Sequence, residues 1–217
     1  MNELSLDVLY RDGLILIINK PSGIPVHKGS GGGITLEDYF EDLKFGLPNP
    51  PVLAHRLDKD TSGCLVLARN KAGANRMGKL FETDMIKKTY LAVVHGILKD
   101  TQGVINLPLG KQSSRKNSWW MKVDLENGKE AITHFKVLET FKNHSLLQLE
   151  PQTGRTHQLR VHTQFIGHPI LGDSIYGGEK DVPLHLHALS IDIPFNPKKD
   201  PIKVQAPLPE FWDLTQF

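Results

Sequence analysis

Apolar residues along this chain recur in short runs separated by turn residues, not on one long helical period. Residues 8–19 predict a strand, a turn at Asp12-Gly13 and a second strand built on Leu14-Ile15-Leu16-Ile17-Ile18. Residues 36–43, where Tyr39, Phe40 and Leu43 cluster, predict a short amphipathic helix. The turn-rich run 46–51 ends it before an extended segment begins at Val52. A buried strand is expected over 64–68. A helix follows over 71–84, with Met77, Leu80 and Phe81 on one face. Residues 90–95 read as a strand ending at Gly96, and 101–150 mainly as strands and turns, including 131–138 and 146–150. The last clear helix is 156–166, stopped by Gly167 with Pro169 beyond.

This order mixes strands and helices without βαβ alternation, which predicts an α+β fold with a largely antiparallel or mixed sheet. At 217 residues the chain can form one sizeable domain or two closely joined lobes. A single cysteine, Cys64, excludes an internal disulfide framework and fits a reducing cytosol. No apolar run approaches the ~20 residues of a membrane helix. The first residues lack a basic-then-apolar leader, so a cytoplasmic protein is expected. The net charge of +2 is compatible with a polyanionic partner without demanding one.

Three segments carry candidate chemistry. In His55-Arg56-Leu57-Asp58-Lys59-Asp60-Thr61-Ser62-Gly63, an arginine and an acid stand two positions apart before an aliphatic strand, a rigid platform for a reactive side chain. Taken alone, the same residues also describe an Asx-type turn. Lys88-Thr89-Tyr90 puts a tyrosine at a strand start, which equally suits the edge of a core. Residues 154–163 crowd Arg155, His157, Arg160 and His162 at a helix start, with Arg155 where a helix N-terminus favours anions. A solvated basic helix end fits that segment as well.

Together and in this order, the three segments resemble the RluA family of RNA pseudouridine synthases. Asn19-Lys20-Pro21-Ser22-Gly23 with Val26-His27 extends the likeness. So do residues 167–173, Tyr176-Gly177 and Leu186-His187-Ala188, so that it runs from about residue 8 to 209. It implies a pseudouridine synthase catalytic fold: a mixed, mostly antiparallel sheet in two lobes around a central cleft. It further implies that Asp58 is the catalytic aspartate, Tyr90 the active-site tyrosine and Arg160 the basic partner of that aspartate. Arg56 would fill the space left by the flipped nucleotide, and Thr61, Arg155 and His157 join it as RNA-binding and base-flipping residues. RNA, ribosomal or transfer, is the implied substrate, with no metal and no cofactor. Many relatives carry an N-terminal S4 domain; with a first motif by residue 19, a single catalytic domain over 1–217 is expected, working as a monomer.

Elementary chemistry agrees with these roles. A carboxylate can hold a covalent intermediate while uracil turns, and an arginine within ~4–6 Å keeps it ionised. The residues leave open whether Asp58 attacks C1′ or acts by another route. Glycoside hydrolysis would call for paired carboxylates, but Asp60 is expected to face solvent. His157 and His162 are five apart, so they do not form the i, i+4 pair of a zinc helix, and no metal site is expected. Trp119 and Trp120, with Lys111, Arg115, Lys116 and Lys122, read either as an RNA-contacting stretch or as a β-hairpin with a half-buried tryptophan pair. Cys64 is expected to pack in the core.

Overall fold

The computed structural model describes residues 4–28, 32–113, 119–177, 181–196 and 198–216. The chain opens with the expected hairpin, β1 (Asp7–Arg11) and β2 (Ile15–Lys20). At its turn, Asp12 accepts the amides of Leu14 and Ile15 through Oδ1, an Asx turn that fixes the register. Residues Leu36–Leu43 do form a helical segment that buries Leu36, Phe40 and Leu43, but it is a 3₁₀ helix and not an α-helix. Its N-terminus is closed by a capping box between Thr35 and Asp38. The short β3 (Val52–Leu53) leads to β4 (Ser62–Ala68), buried along its whole length.

Helix α1 (Lys71–Glu82) starts at Asn70, whose side chain accepts the Gly73 amide, and presents Met77 and Leu80 inward. There follow β5 (Lys87–His95), β6 (Gln102–Asn106), β7 (Leu109–Ser113), β8 (Trp119–Val123), β9 (Ile132–Thr140) and β10 (His144–Pro151). Helix α2 (Gln158–Phe165) begins two residues later than the periodicity predicts, because His157 takes a left-handed conformation, φ 53° and ψ 19°. The chain ends with β11 (Leu186–Ile193), β12 (Ile202–Gln205) and a 3₁₀ turn at Leu214–Gln216.

These elements fall into two compact units. The first comprises residues 1–87 and 188–209. Its strands run β1-β2-β4, with β3 on β4 and β12 on the Ala188–Ile193 part of β11; the registers described are antiparallel. Ile15, Ile17, Cys64, Val66, Met77, Leu80, Ile191 and Ile193 form its core, so Cys64 is a packing residue as expected. Gly63, at φ 105°, lies so close to the backbone of Ala188 that a Cβ there would come within 2.3 Å of that residue's carbonyl oxygen.

The second unit comprises residues 88–187 and 210–217. Its strands run β5-β10-β9-β6, again antiparallel in register. Leu147 and Leu149 of β10 pack with Ala92 and Val94 of β5 and with Leu159 of α2. The pair β7-β8 forms a separate two-stranded ribbon, in which Trp120 is half-buried. Arg115 and Lys116, and the side chain of Trp119, lie outside the described residues. Leu109, Ala131 and Val161, with Met121, Val123 and Tyr176 beside them, anchor the ribbon to α2.

Candidate functional site

In the first unit, the segment carrying Asp58 is tied down by its backbone. Lys20, the last residue of β2, is 0% exposed. Its ammonium donates to the carbonyls of Pro21, Lys59 and Thr61, all at 2.8 Å. Three donors meet three acceptors, so a charge that would be costly to bury alone is fully hydrogen-bonded. Burial nevertheless pushes the Lys20 pKa down to about 7, against the pull of the Asp60 and Asp58 carboxylates. Ser22 adds a bond from Oγ to the Asp60 carbonyl at 2.7 Å, and the Gly23 amide donates to Lys59 O at 3.0 Å.

At the other end of the segment, His55 Nε2 accepts the Val66 amide at 3.0 Å, and its ring lies 4.9 Å from that of Phe81. An acceptor Nε2 requires that the neutral ring carry its proton on Nδ1. Between these anchors, Leu57 is buried, Asp58 half-buried and Arg56 exposed. Asp60, expected in solvent, is half-buried instead. Thr61, expected among the RNA-facing residues, is 2% exposed, and its hydroxyl has no hydrogen-bond partner among the described residues.

The second unit holds Tyr90, Arg155, His157 and Arg160. Tyr90 lies on β5 opposite Leu149 and packs at the edge of the core. Arg160 is 4% exposed and grips Asp173, 0% exposed, with two parallel bonds: Nε to Oδ2 at 2.8 Å and Nη2 to Oδ1 at 2.7 Å. Oδ1 also accepts the amides of Ile175 and Tyr176, each at 3.0 Å. Burial alone would raise the Asp173 pKa, but the Arg160 bonds and charge, with those two amides, outweigh it and hold the carboxyl below its ordinary range. The Arg160 guanidinium sits 5.3 Å from the centre of the Tyr176 ring. Arg155 is exposed and donates from Nε to Glu130 O at 2.9 Å.

Polar side chains buried along α2 fix its place. Gln158 accepts from Thr153 Oγ1 at 2.8 Å and from the Arg155 amide at 3.0 Å, and donates to Ile132 O and Thr133 Oγ1. His162 completes the chain. Leu107 O, 3.0 Å from Nε2, can only accept, so Nε2 carries the proton and Nδ1 accepts from Thr133 at 2.9 Å. Burial lowers the His162 pKa, opposed in part by the Leu107 carbonyl. Lys20, Gln158, His162, Asp173 and Tyr176 are thus structural partners of the candidate residues that motif reading quotes without giving them a task. For Lys20 there was a signal: a lysine closing an aliphatic strand has no water to reach unless it turns back on the chain.

The comparisons with known proteins come to the same place. A family profile described as RNA pseudouridylate synthase matches residues 14–165. An uncharacterised RNA pseudouridine synthase of Zymomonas mobilis is 44% identical over 219 residues, covering 99% of both chains. The ribosomal large subunit pseudouridine synthase C of Vibrio vulnificus is 38% identical over 96% of this chain and 67% of its own length. Among solved structures, human RNA pseudouridylate synthase domain containing 1 superposes with a TM-score of 0.80 at 31% identity, over 96% of this chain and 87% of that one.

Proposed function

Because the chain belongs to the RNA pseudouridylate synthase family, and is by that membership an RNA-uridine isomerase, we propose that Asp58 is its catalytic carboxylate. The observation that carries this is the Asp58 segment itself: a half-buried acid on a loop held by the bonds of Lys20 to the Lys59 and Thr61 carbonyls. Such a loop costs little reorganisation when substrate arrives.

The isomerisation breaks the N1–C1′ bond of uridine and forms a C5–C1′ bond; C5 gives up a proton and N1 gains one. In this reading Asp58 holds the sugar while the base turns. Arg160 keeps that aspartate ionised, itself steadied by Asp173. Tyr90 stacks on the free uracil and takes part in removing the C5 proton. Extruding the nucleotide costs a few kcal/mol of unstacking, and Arg56 offsets part of it by filling the gap. Arg155 and His157 meet the RNA backbone. The reaction asks for neither metal nor cofactor, and the chain acts as a cytoplasmic monomer; among the described residues no helix is long and apolar enough to cross a membrane. Large-subunit ribosomal RNA is the proposed substrate, supported by the name of the relative from Vibrio vulnificus.

The test is a strain lacking the gene, complemented with wild type or Asp58→Ala, with pseudouridines mapped by carbodiimide treatment and primer extension. One or more large-subunit sites should vanish and return only with wild type. Sites confined to transfer RNA would move the substrate, and restoration by the alanine variant would remove Asp58 from the chemistry.

A further inference from the structure

The ribbon β7-β8 is the element of the second unit that most needs outside support. Two strands alone are marginal in water. Its outward edge carries an amide, that of Met121, that points away from β7 and into the molecule. That amide donates to Tyr176 Oη at 2.9 Å. The same oxygen lies 2.9 Å from His157 Nδ1, and the two rings meet edge to face at 5.6 Å. One hydroxyl therefore accepts from the ribbon and has its proton for the histidine that starts α2. The ring beneath it faces the Arg160 guanidinium. The amide of Tyr176 is bonded to Asp173, the carboxylate that holds Arg160.

His157 gives this contact weight. It is a non-glycine residue in the left-handed region, a conformation that persists only where surroundings hold it. The face of the ribbon opposite Met121 carries exposed Lys122 and half-buried Trp120, while exposed Lys111 and Lys129 fall on the Met121 face. A cation beside an aromatic ring suits the phosphate and base of an RNA strand.

We propose that Tyr176 is a positioning residue for the reaction. Its hydroxyl latches the β7-β8 ribbon to the start of α2, so that RNA gripped by the ribbon holds His157 where it meets the RNA backbone. This rests on the assignment of RNA as substrate, but the latch is a property of the chain and is measurable without turnover.

The experiment compares wild type, Tyr176→Phe, Lys122→Ala and the double variant, each also with Asp58→Ala for binding measurements. The probe is deproteinised large-subunit ribosomal RNA. Tyr176→Phe keeps the ring against Arg160 and removes only the hydroxyl. At roughly 1 kcal/mol for each hydrogen bond lost, the Kd and KM for RNA should rise about 5- to 30-fold, with kcat within about twofold of wild type. Exchange of the Met121 amide, followed by NMR, should speed up at least about tenfold, as expected when a bonded amide opens to water. Lys122→Ala should weaken binding several-fold in wild type and hardly at all once the latch is gone, the signature of coupled residues. Penalties that simply multiply, an unchanged Met121 exchange rate, or a loss confined to kcat would each overturn the latch. If binding and exchange behave as described but wild type forms no pseudouridine, the isomerase reading falls and the latch stands. If pseudouridine forms and the penalties multiply, the latch falls alone.

Discussion

Lys20 shows how much of this chain's candidate chemistry is arranged by residues that do none of it. The ammonium is buried and shared among three carbonyls, that of Pro21 and those of Lys59 and Thr61 on the Asp58 loop. Replacing it with methionine keeps the volume and strands those acceptors. Each buried polar atom left without a partner costs about 1–3 kcal/mol, offset in part by no longer burying a charge. For Lys20→Met we expect a fall of about 3 kcal/mol in unfolding free energy, read by urea titration. Turnover should drop with little change in RNA affinity, because the loop that is loosened carries Asp58. A variant as stable and as active as wild type would show that the loop needs no clamp. The lysine was visible in the sequence as part of a motif; its acceptors on the Asp58 loop, 39 and 41 residues away, were not.

Elements were legible where a two- or 3.6-residue period was strong. The β1-β2 hairpin, β4, α1 and β10 lie where the pattern puts them: β2 and β4 are continuous apolar runs buried nearly throughout, and α1 buries Met77 and Leu80 on one face. Two departures have local causes. Residues Leu36–Leu43 tighten to 3₁₀ geometry, with an i to i+3 bond from the Asp38 amide to Thr35 O at the start and from the Lys44 amide to Glu41 O at the end. Helix α2 starts two residues late, after the left-handed His157. Gly63 belongs to this scale as well. A Cβ there would collide with the β11 backbone, and its φ of 105° disfavours any other residue. Gly63→Ala should therefore destabilise by about 3 kcal/mol, strain and overpacking each contributing, and push β4 away from β11. Thermal unfolding with amide exchange on β4 would check this; a neutral substitution would mean the two strands can part without loss.

At the scale of the whole molecule, three buried groups give stability the same pH dependence. Lys20, lowered to about 7 from 10.5, binds fewer protons in the folded than in the unfolded chain between those values. His162, lowered by burial, does the same below 6.5, and Asp173 below 3.8. Wherever the unfolded chain binds more protons, stability rises with pH. Urea unfolding should thus show stability climbing from pH 5 to 9. His162→Gln should flatten the part below pH 6.5, and Lys20→Met the part above 7. From pH 9 to 10.5 the profile should level, since burial pushes the Cys64 thiol up to about 11 and the stability this costs offsets the gain from Lys20; above 10.5 the slope should turn downward. A flat profile would mean that these groups titrate alike in both states.

By itself the sequence determined the family and the α+β class, and it marked the candidate residues of the site. Those are written in short contiguous motifs and in local periodicity, which need no knowledge of distant neighbours. The tertiary structure decided what holds each of them: Asp173 on Arg160, Tyr176 between the ribbon and His157, Lys20 under the Asp58 loop, and Gln158 and His162 threading α2 to β9. Hydrogen bonds between residues far apart in the chain leave no period to read. Burial turns them into requirements, because a polar group out of water must find its partner wherever the fold has placed it.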